Sequence, residues 1–205
     1  MALSPAVFLF ACQFLFTMEK DGAIIKNDVS MAKYRKMLSD WYAPYLQSLI
    51  QLIETQSKET LMDWVLGYAE ERILPLWKKH YPEDGRSEAA LRAAWDWRKK
   101  KVKLTEAKKI ILDCHAAARD VEGNPVAQAA ARALAQSASI IHVARHCIGL
   151  PLYGAVAVAY DEAGIDAPWK EVEEAAAREV GRMEAALRKI AVPDEPNPAK
   201  IDWNC

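Results

Sequence analysis

The stretch LTEAKKIILDCHAAARDVEGNPVAQAAARALAQSASIIHVARHC, residues 104–147, indicates most directly how this chain folds. Its first part carries an apolar or small residue at every third or fourth position: Leu104, Ala107, Ile111, Cys114, Ala118 and Val121. This spacing places the set on one face of an α-helix. After Gly123, Asn124 can cap a second helix and Pro125 suits its first turn. An alanine-rich helix is therefore predicted over residues 126–148.

Similar helical patterns, separated by turn signals, extend to both sides of this stretch. They cover residues 30–55 with a bend or break at Pro44, 58–80 with a kink at Pro75, a helix from Ser87 into a lysine run, 152–163, and 168–190. No alternation typical of β-strands persists for more than a few residues, and no internal repeat is present. The predicted fold class is all-α, a single bundle of about six to eight helices.

Composition and charge argue against a disordered chain and against a dedicated nucleic-acid binder. The 205 residues are 52% hydrophobic and 27% charged, which is typical of a globular domain and not of a disordered chain. Lys and Arg number 27 against 28 Asp and Glu, which gives a formal net charge of −1. Dedicated nucleic-acid binders usually carry a basic excess. No nucleic-acid partner is therefore predicted.

The two ends of the chain differ in character from its middle. Residues 1–17 are apolar almost throughout, yet they are too short for a membrane span of about 20 residues and lack a preceding basic region. We interpret them as a helix docked on the body or as an extension upstream of a start at Met18; a membrane anchor is a third reading, and no stable insertion is predicted. Residues 18–190 are predicted to form the helical-bundle domain, and residues 191–205 a Pro-rich irregular tail.

Cysteine usage favours a reducing compartment. The four cysteines are widely separated, with no CxxC pair, and they are too few for a disulfide scaffold. A cytoplasmic location is therefore predicted.

The histidines form the first candidate site. His142 and His146, in IHVARHC, are four residues apart, so a continuous helix would place both imidazoles on one face. Two such histidines begin a zinc site, which needs further ligands. His115, with Cys114 beside it, could supply them if the two helices are antiparallel neighbours. The alternative is a polar stripe, solvated or hydrogen-bonded between helices, that also contains Gln128, Arg132 and Ser139.

A run of aromatic and basic residues, Trp95-Asp96-Trp97-Arg98-Lys99-Lys100-Lys101-Val102-Lys103, forms the second candidate site. Such a run can stack on bases or lie on an anionic membrane. Its other interpretation is a helix whose carboxyl end carries cations that suit the helix dipole.

No motif for catalysis accompanies these two sites. The chain contains neither GxxxxGK[ST] nor GxGxxG nor HExxH, and its carboxylates are scattered singly along helix surfaces. The sequence therefore leans against an enzyme. We predict no catalytic residue and no cofactor, with a divalent metal as the alternative.

Three segments of the chain resemble a known family. They are AEERILPLWKKHYPEDGRSEAALRAAWDWRKKK, ILDCHAAARD and PVAQAAARALAQSASIIHVARHCIGLPLYGAVAVAYDEAG. Together they are similar, over about residues 60–190, to bacterial helical proteins described as putative immunity proteins, the five-like immunity family of polymorphic toxin systems. The marks are Leu74-Pro75, Ala94-Trp95, the segment His115–Arg119 and an HxxxH helix that ends in glycine.

This resemblance implies a helical protein that neutralises a cognate toxin by direct protein–protein binding. Trp and Tyr side chains are favoured anchors of interfaces. The predicted partner-binding residues are Trp95, Trp97, His142 and His146. The alternative is a metal-binding helical protein or enzyme that uses His115, His142 and His146. The oligomeric state is left open.

Overall fold

The computed structural model describes residues 34–203, which form eight α-helices and no β-strand. The all-α prediction is thereby confirmed. The helices are α1 (Pro44–Glu54), α2 (Lys58–Tyr68), α3 (Leu74–His80), α4 (Arg86–Arg98), α5 (Leu104–Asp120), α6 (Pro125–Ser139), α7 (Ala155–Ala163) and α8 (Trp169–Ile190). Residues 1–17, for which a docked helix or an upstream extension is predicted, and the cysteines Cys12 and Cys205 lie outside the described residues.

Helix α6 is the centre of the bundle. Twelve of its 15 residues are buried, and it packs against α2, α3, α4, α5 and α7. Seven of the 15 are alanines, whose small side chains allow neighbouring helices to approach closely on every side. Asn124 caps α6 as predicted, because its Oδ1 accepts the backbone N–H of Ala127 at 3.1 Å, and Pro125 occupies the first turn.

Two proline-containing regions are wound as π-helical turns. One turn, Ala69–Ile73, joins α2 to α3 just before Pro75, and the other, Leu150–Gly154, leads into α7. Proline lacks the N–H that a regular helix needs, and a π-turn accommodates the interrupted ladder. The two turns meet in the core, where a β-carbon on Gly154 would lie 3.2 Å from Ile73 Cδ1.

The prediction of helix before Pro44 is wrong. Residues 34–43 contain no helix, and Pro44 is the first residue of α1. A proline disfavours helical geometry in the preceding residue, and Ala43 accordingly has φ −55° and ψ 128°. The segment still contributes to the core through Leu38, whose backbone N–H donates to the Leu152 carbonyl at 3.0 Å.

A buried carboxylate links α8 to α2. Glu179 is fully buried, and its carboxylate accepts hydrogen bonds from Tyr68 Oη at 2.7 Å and from Arg182 Nη1 at 2.5 Å. Arg72, in the first π-turn, lies 3.8 Å from the same carboxylate. Two arginines and a tyrosine thus compensate the charge of Glu179, as a buried charge requires.

After α8 the chain returns along α1 without forming another helix up to residue 203. Gln56 holds it with its side chain, which accepts the Val192 N–H at 2.8 Å, and with its carbonyl, which accepts the Ala199 N–H at 2.8 Å. Trp203 Nε1 donates to Glu54 at 2.7 Å. None of the helices within residues 34–203 combines the length and apolar character needed to cross a bilayer.

Candidate functional site

Helix α6 ends at Ser139, so the predicted continuous helix over residues 126–148 is wrong. A turn follows, and Ala144–Ile148 then forms a short 3-10 helix. Gly149 provides the reason, because a β-carbon there would lie only 2.3 Å from Gln136 Cβ. The backbone must turn back to make this close approach to α6, and a straight helix cannot do so. His142 therefore lies in the turn and His146 in the 3-10 helix.

The turn nevertheless brings the predicted histidines together. The rings of His142 and His146 have centroids 4.9 Å apart at an interplanar angle of 49°. His146 Nδ1 lies 2.5 Å from Gln136 Oε1, and His115 Nε2 lies 3.3 Å from Ser139 Oγ. His142 is exposed, whereas His115 and His146 are half-buried.

The remaining members of the predicted polar stripe are largely internal. Gln128 is 5% exposed and Ser139 is 3% exposed. Gln128 Nε2 donates to the Ala118 carbonyl at 3.1 Å, and Ser139 pairs with His115. Both hydrogen bonds join α5 to α6. Of the two predicted arrangements of the polar stripe, these residues therefore follow the one with hydrogen bonds between helices and not the solvated one.

All three imidazoles favour the neutral form. Burial, reinforced by His142 and Arg145, lowers the pKa of His146 to about 4. Burial and then the charge of Arg132 lower the pKa of His115, while burial and then Lys108 lower that of His142. Neutral rings can both donate and accept hydrogen bonds. Burying them against a partner costs less desolvation free energy than burying charged rings.

The arrangement does not favour a metal centre. Within residues 34–203, no group of three or more His, Cys, Asp or Glu side chains is arranged to hold a metal ion. His115 Nε2 and His146 Nδ1 contact Ser139 and Gln136, which leaves one nitrogen of each ring outside these contacts. Cys114 Sγ is buried against Ser87 Oγ at 3.4 Å, and burial raises the pKa of this thiol to about 11. A thiol that keeps its proton is a poor metal ligand.

Trp97 joins the histidines through Lys58, a residue that the sequence gives no reason to select. Lys58 Nζ donates to the Ile141 carbonyl at 2.8 Å, next to His142, and lies 5.5 Å from the centre of the Trp97 ring. We call the surface formed by Lys58, Trp97, His115, His142 and His146 the histidine surface. Three predicted partner-binding residues, Trp97, His142 and His146, belong to it.

Trp95 lies on a different face of α4 from Trp97. Two residues correspond to about 200° around a helix, so Trp95 and Trp97 point to opposite sides. Trp95 Nε1 donates to Glu70 Oε2 at 3.2 Å. Its ring lines an open cavity of about 390 Å³ with Leu74, Leu91 and Lys99 among its other walls.

Comparison with known proteins identifies one family. A model described as Imm-5 like putative immunity protein matches residues 51–186. The matched range covers α2 to α7 in full, the last four residues of α1 and most of α8, and it includes every residue of the histidine surface. No curated protein and no solved structure matches the chain.

Proposed function

Because the chain belongs to the Imm-5 like putative immunity protein family, we propose that it neutralises a cognate bacterial toxin by direct, non-catalytic protein–protein binding. The observation that carries the proposal is the family match over residues 51–186. We place the protein in a polymorphic toxin system and in the cytoplasm, where an immunity protein would meet an incoming toxin.

The histidine surface is the proposed contact region. It combines Trp97, which is half-buried, with His142 and the neighbouring Val143, which is 38% exposed. Aromatic side chains partly fixed by their own protein lose little conformational entropy on binding and are common hot spots of interfaces. Neutral imidazoles add hydrogen-bonding capacity at a modest desolvation cost.

The backbone of this surface is preorganised. Ile140, Ile141 and Cys147 flank the histidine turn and are 0%, 1% and 0% exposed. These apolar anchors fix the turn between α6 and the 3-10 helix, so the partner would not need to order it. Preorganisation of this kind raises affinity by reducing the entropy lost on association.

Trp95 is a secondary candidate for toxin contact. It lies on the opposite side of α4 from Trp97, and a partner would reach both residues only by extending around that helix. The cavity beside Trp95 could receive one projecting side chain of such a partner.

Metal binding by His115, His142 and His146 is the second candidate function, since the structure brings these residues into one region. His115 and His146 would bind the metal through the ring nitrogens that do not contact Ser139 and Gln136, His115 Nδ1 and His146 Nε2. This second function predicts a metal that survives purification and is lost on replacing His142.

The experiment that separates the two functions is a tagged pull-down from the source cell at moderate salt. Mass spectrometry and metal analysis are performed on the same eluate. We expect a stoichiometric protein partner encoded next to this gene as part of a large secreted protein, and no bound metal. A clean protein that carries stoichiometric zinc or iron and no partner would overturn the immunity proposal.

Neutralisation itself is tested in a bacterial host that expresses the toxin domain of the neighbouring gene. Co-expression of the full chain is expected to restore growth, and the purified proteins should form a complex. Continued growth arrest with both proteins present would contradict the proposed function.

A further inference from the structure

One side of α5 carries an exposed stripe of mixed character. Leu104, Lys108, Leu112, His115 and Arg119 fall within about 80° of one another on the helix. Leu112 is 62% exposed and Leu104 is 36% exposed, whereas Lys108 and Arg119 are exposed cations. The stripe adjoins the histidine surface, because His115 belongs to both.

Arg132 extends this stripe onto α6. It is the one charged residue of that largely buried helix, and it is itself half-buried. Its Nε is shielded from solvent and has no hydrogen-bond partner. Arg132 lies close enough to His115 for its charge to lower the pKa of that histidine, after the effect of burial. Arg132 therefore adds a half-buried positive charge beside the exposed cations of α5.

The cations of this region lack anionic partners within residues 34–203. Lys58, Lys108, Arg119 and Arg132 make no ion pair there. Elsewhere in the described chain many cations do lie against carboxylates: Lys36 with Glu122, Lys78 with Glu88, Lys79 with Asp161, Arg86 with Asp84 and Asp120, and Arg98 with Asp63.

Two carboxylates do act on this region from a greater distance. Glu59 raises the pKa of Lys58 against the larger, opposite effect of burial. Glu122 interacts with Arg132, but its carboxylate is engaged by Lys36 at 2.9 Å. Neither carboxylate forms an ion pair with Lys108 or Arg119. The local excess of positive charge therefore persists in a chain whose net charge is −1.

We propose that the surface formed by Lys58, Lys108, Leu112, Arg119 and Arg132, here called the basic face, receives an acidic segment of the cognate toxin. The proposal rests on the proposed function and specifies the chemistry of the partner. Carboxylates of the toxin contact the three exposed or half-buried cations of α5 and α6, and an apolar side chain of the toxin packs on Leu112. Charge complementarity of this kind increases association rates and excludes partners of the wrong sign.

An acidic protein segment fits the basic face better than a nucleic acid does. Leu112 separates Lys108 from Arg119 on α5 and, as an aliphatic side chain, offers no aromatic stacking for a base, while the ring of Trp97 is overlaid by Lys58. The chain as a whole carries no basic excess to support non-specific phosphate binding. Nucleic acid is therefore one outcome of the test.

The test uses the full chain and the toxin domain encoded by the neighbouring secreted-protein gene. The variant combines Lys108→Glu with Arg119→Glu, two exposed positions of α5 whose replacement leaves the core untouched. The matched control combines Lys170→Glu with Arg178→Glu, two exposed positions of α8 that make no ion pair within residues 34–203. Both variants change the net charge by the same amount. Circular dichroism and thermal unfolding verify that both are folded.

We expect the α5 variant to bind the toxin at least about tenfold more weakly, mainly through a slower association rate, while the α8 variant binds like the parent. Carbodiimide cross-linking, which joins lysine amines to carboxylates, should couple Lys58 or Lys108 to Asp or Glu of the toxin, and Lys170 should remain uncoupled. Equal weakening by both variants, or no weakening, would overturn the basic face while leaving toxin binding intact.

Two other outcomes of the binding experiment test the proposed function and the identity of the partner. If the parent chain fails to bind the toxin domain, the proposed function fails, and the basic face fails with it. If the parent instead binds a DNA or RNA oligonucleotide and the α5 variant loses that binding, the acidic protein segment is the wrong occupant.

Discussion

Gln136 Oε1 lies 2.5 Å from His146 Nδ1, and this contact joins α6 to the 3-10 helix that carries the histidine. With the amide oxygen facing the ring, the contact is a hydrogen bond in the tautomer whose Nδ1 carries the proton. Gly149 lies against the same glutamine, so closely that a β-carbon on it would be 2.3 Å from Gln136 Cβ. A half-buried contact between α6 and the 3-10 helix therefore positions a residue of the proposed binding surface.

Gly149→Ala should destabilise the protein and displace His146. The new β-carbon would lie 2.3 Å from Gln136 Cβ, so the backbone has to move. Overpacking of this kind costs about 1–3 kcal/mol in the free energy of unfolding, which urea denaturation measures.

The control is Gly67→Ala in α2, where a β-carbon meets no atom within 4 Å. That variant should be stabilised by about 0.5–1 kcal/mol, because alanine is the better helix former. Equal stability of the two variants would contradict the close approach.

His146 should make stability depend on pH in a specific direction. Burial lowers its pKa to about 4 from an ordinary value of 6.5, so the unfolded chain binds the proton more readily than the folded chain. Stability from this residue is full above about pH 6.5 and is lost as the pH falls toward 4. Because the ring is only half-buried, we expect a loss of about 1–2 kcal/mol over that window.

The measurement compares urea unfolding of the parent and of His146→Gln between pH 7 and pH 4.5. Carboxylate titration is common to both proteins and cancels in the difference. The parent should lose more stability than the variant as the pH falls. Parallel curves would show that His146 is not held in a neutral state.

Glu179→Gln should destabilise the bundle by about 1–3 kcal/mol, because Tyr68 and Arg182 lose their charged acceptor at a fully buried position. Glu174→Gln is the control on the same helix, since Glu174 is exposed and its replacement should change stability by less than about 0.5 kcal/mol. Chemical denaturation of the two variants provides the comparison. A Glu179 variant as stable as its control would show that the buried carboxylate is not needed for packing.

Trp97→Ala combined with His142→Ala should weaken toxin binding by about 2 kcal/mol or more, which is roughly 30-fold in Kd, if these residues are hot spots. Tyr42→Ala is the control, because Tyr42 is an aromatic residue that is 88% exposed. Isothermal titration calorimetry with the toxin domain measures both. Unchanged affinity in the double variant would remove the histidine surface from the interface, and trace-metal analysis of the same preparations tests the alternative function.

Helical periodicity in the sequence predicted α5, α8 and the cap at Asn124, because these features depend on local spacing and side-chain chemistry. It did not predict the end of α6, since Ile140 and Ile141 continue the apolar pattern past Ser139. The close approach of Gly149 to Gln136 decides that boundary, and it is a tertiary contact.

The candidate site was predictable only in part for the same reason. The spacing of His142 and His146 predicted that their rings lie close together, and they do, but through a turn and a 3-10 helix instead of one continuous helix. Lys58 donates to the backbone carbonyl of Ile141, 83 residues away, and lies over the ring of Trp97; no sequence pattern reports such contacts. The separation of Trp95 from Trp97 does follow from helical geometry, once both are placed on one helix.

The alanine-rich centre of the bundle has a consequence for how this protein can diversify. Residues of α6 that touch five other helices leave almost no room for larger side chains, so substitutions there are constrained by packing. The outward stripe of α5 is supported by that centre but contributes Lys108, Leu112 and Arg119 mainly to solvent. If the basic face contacts the toxin as proposed, substitutions at these exposed positions could change which toxin is bound without altering the packed interior.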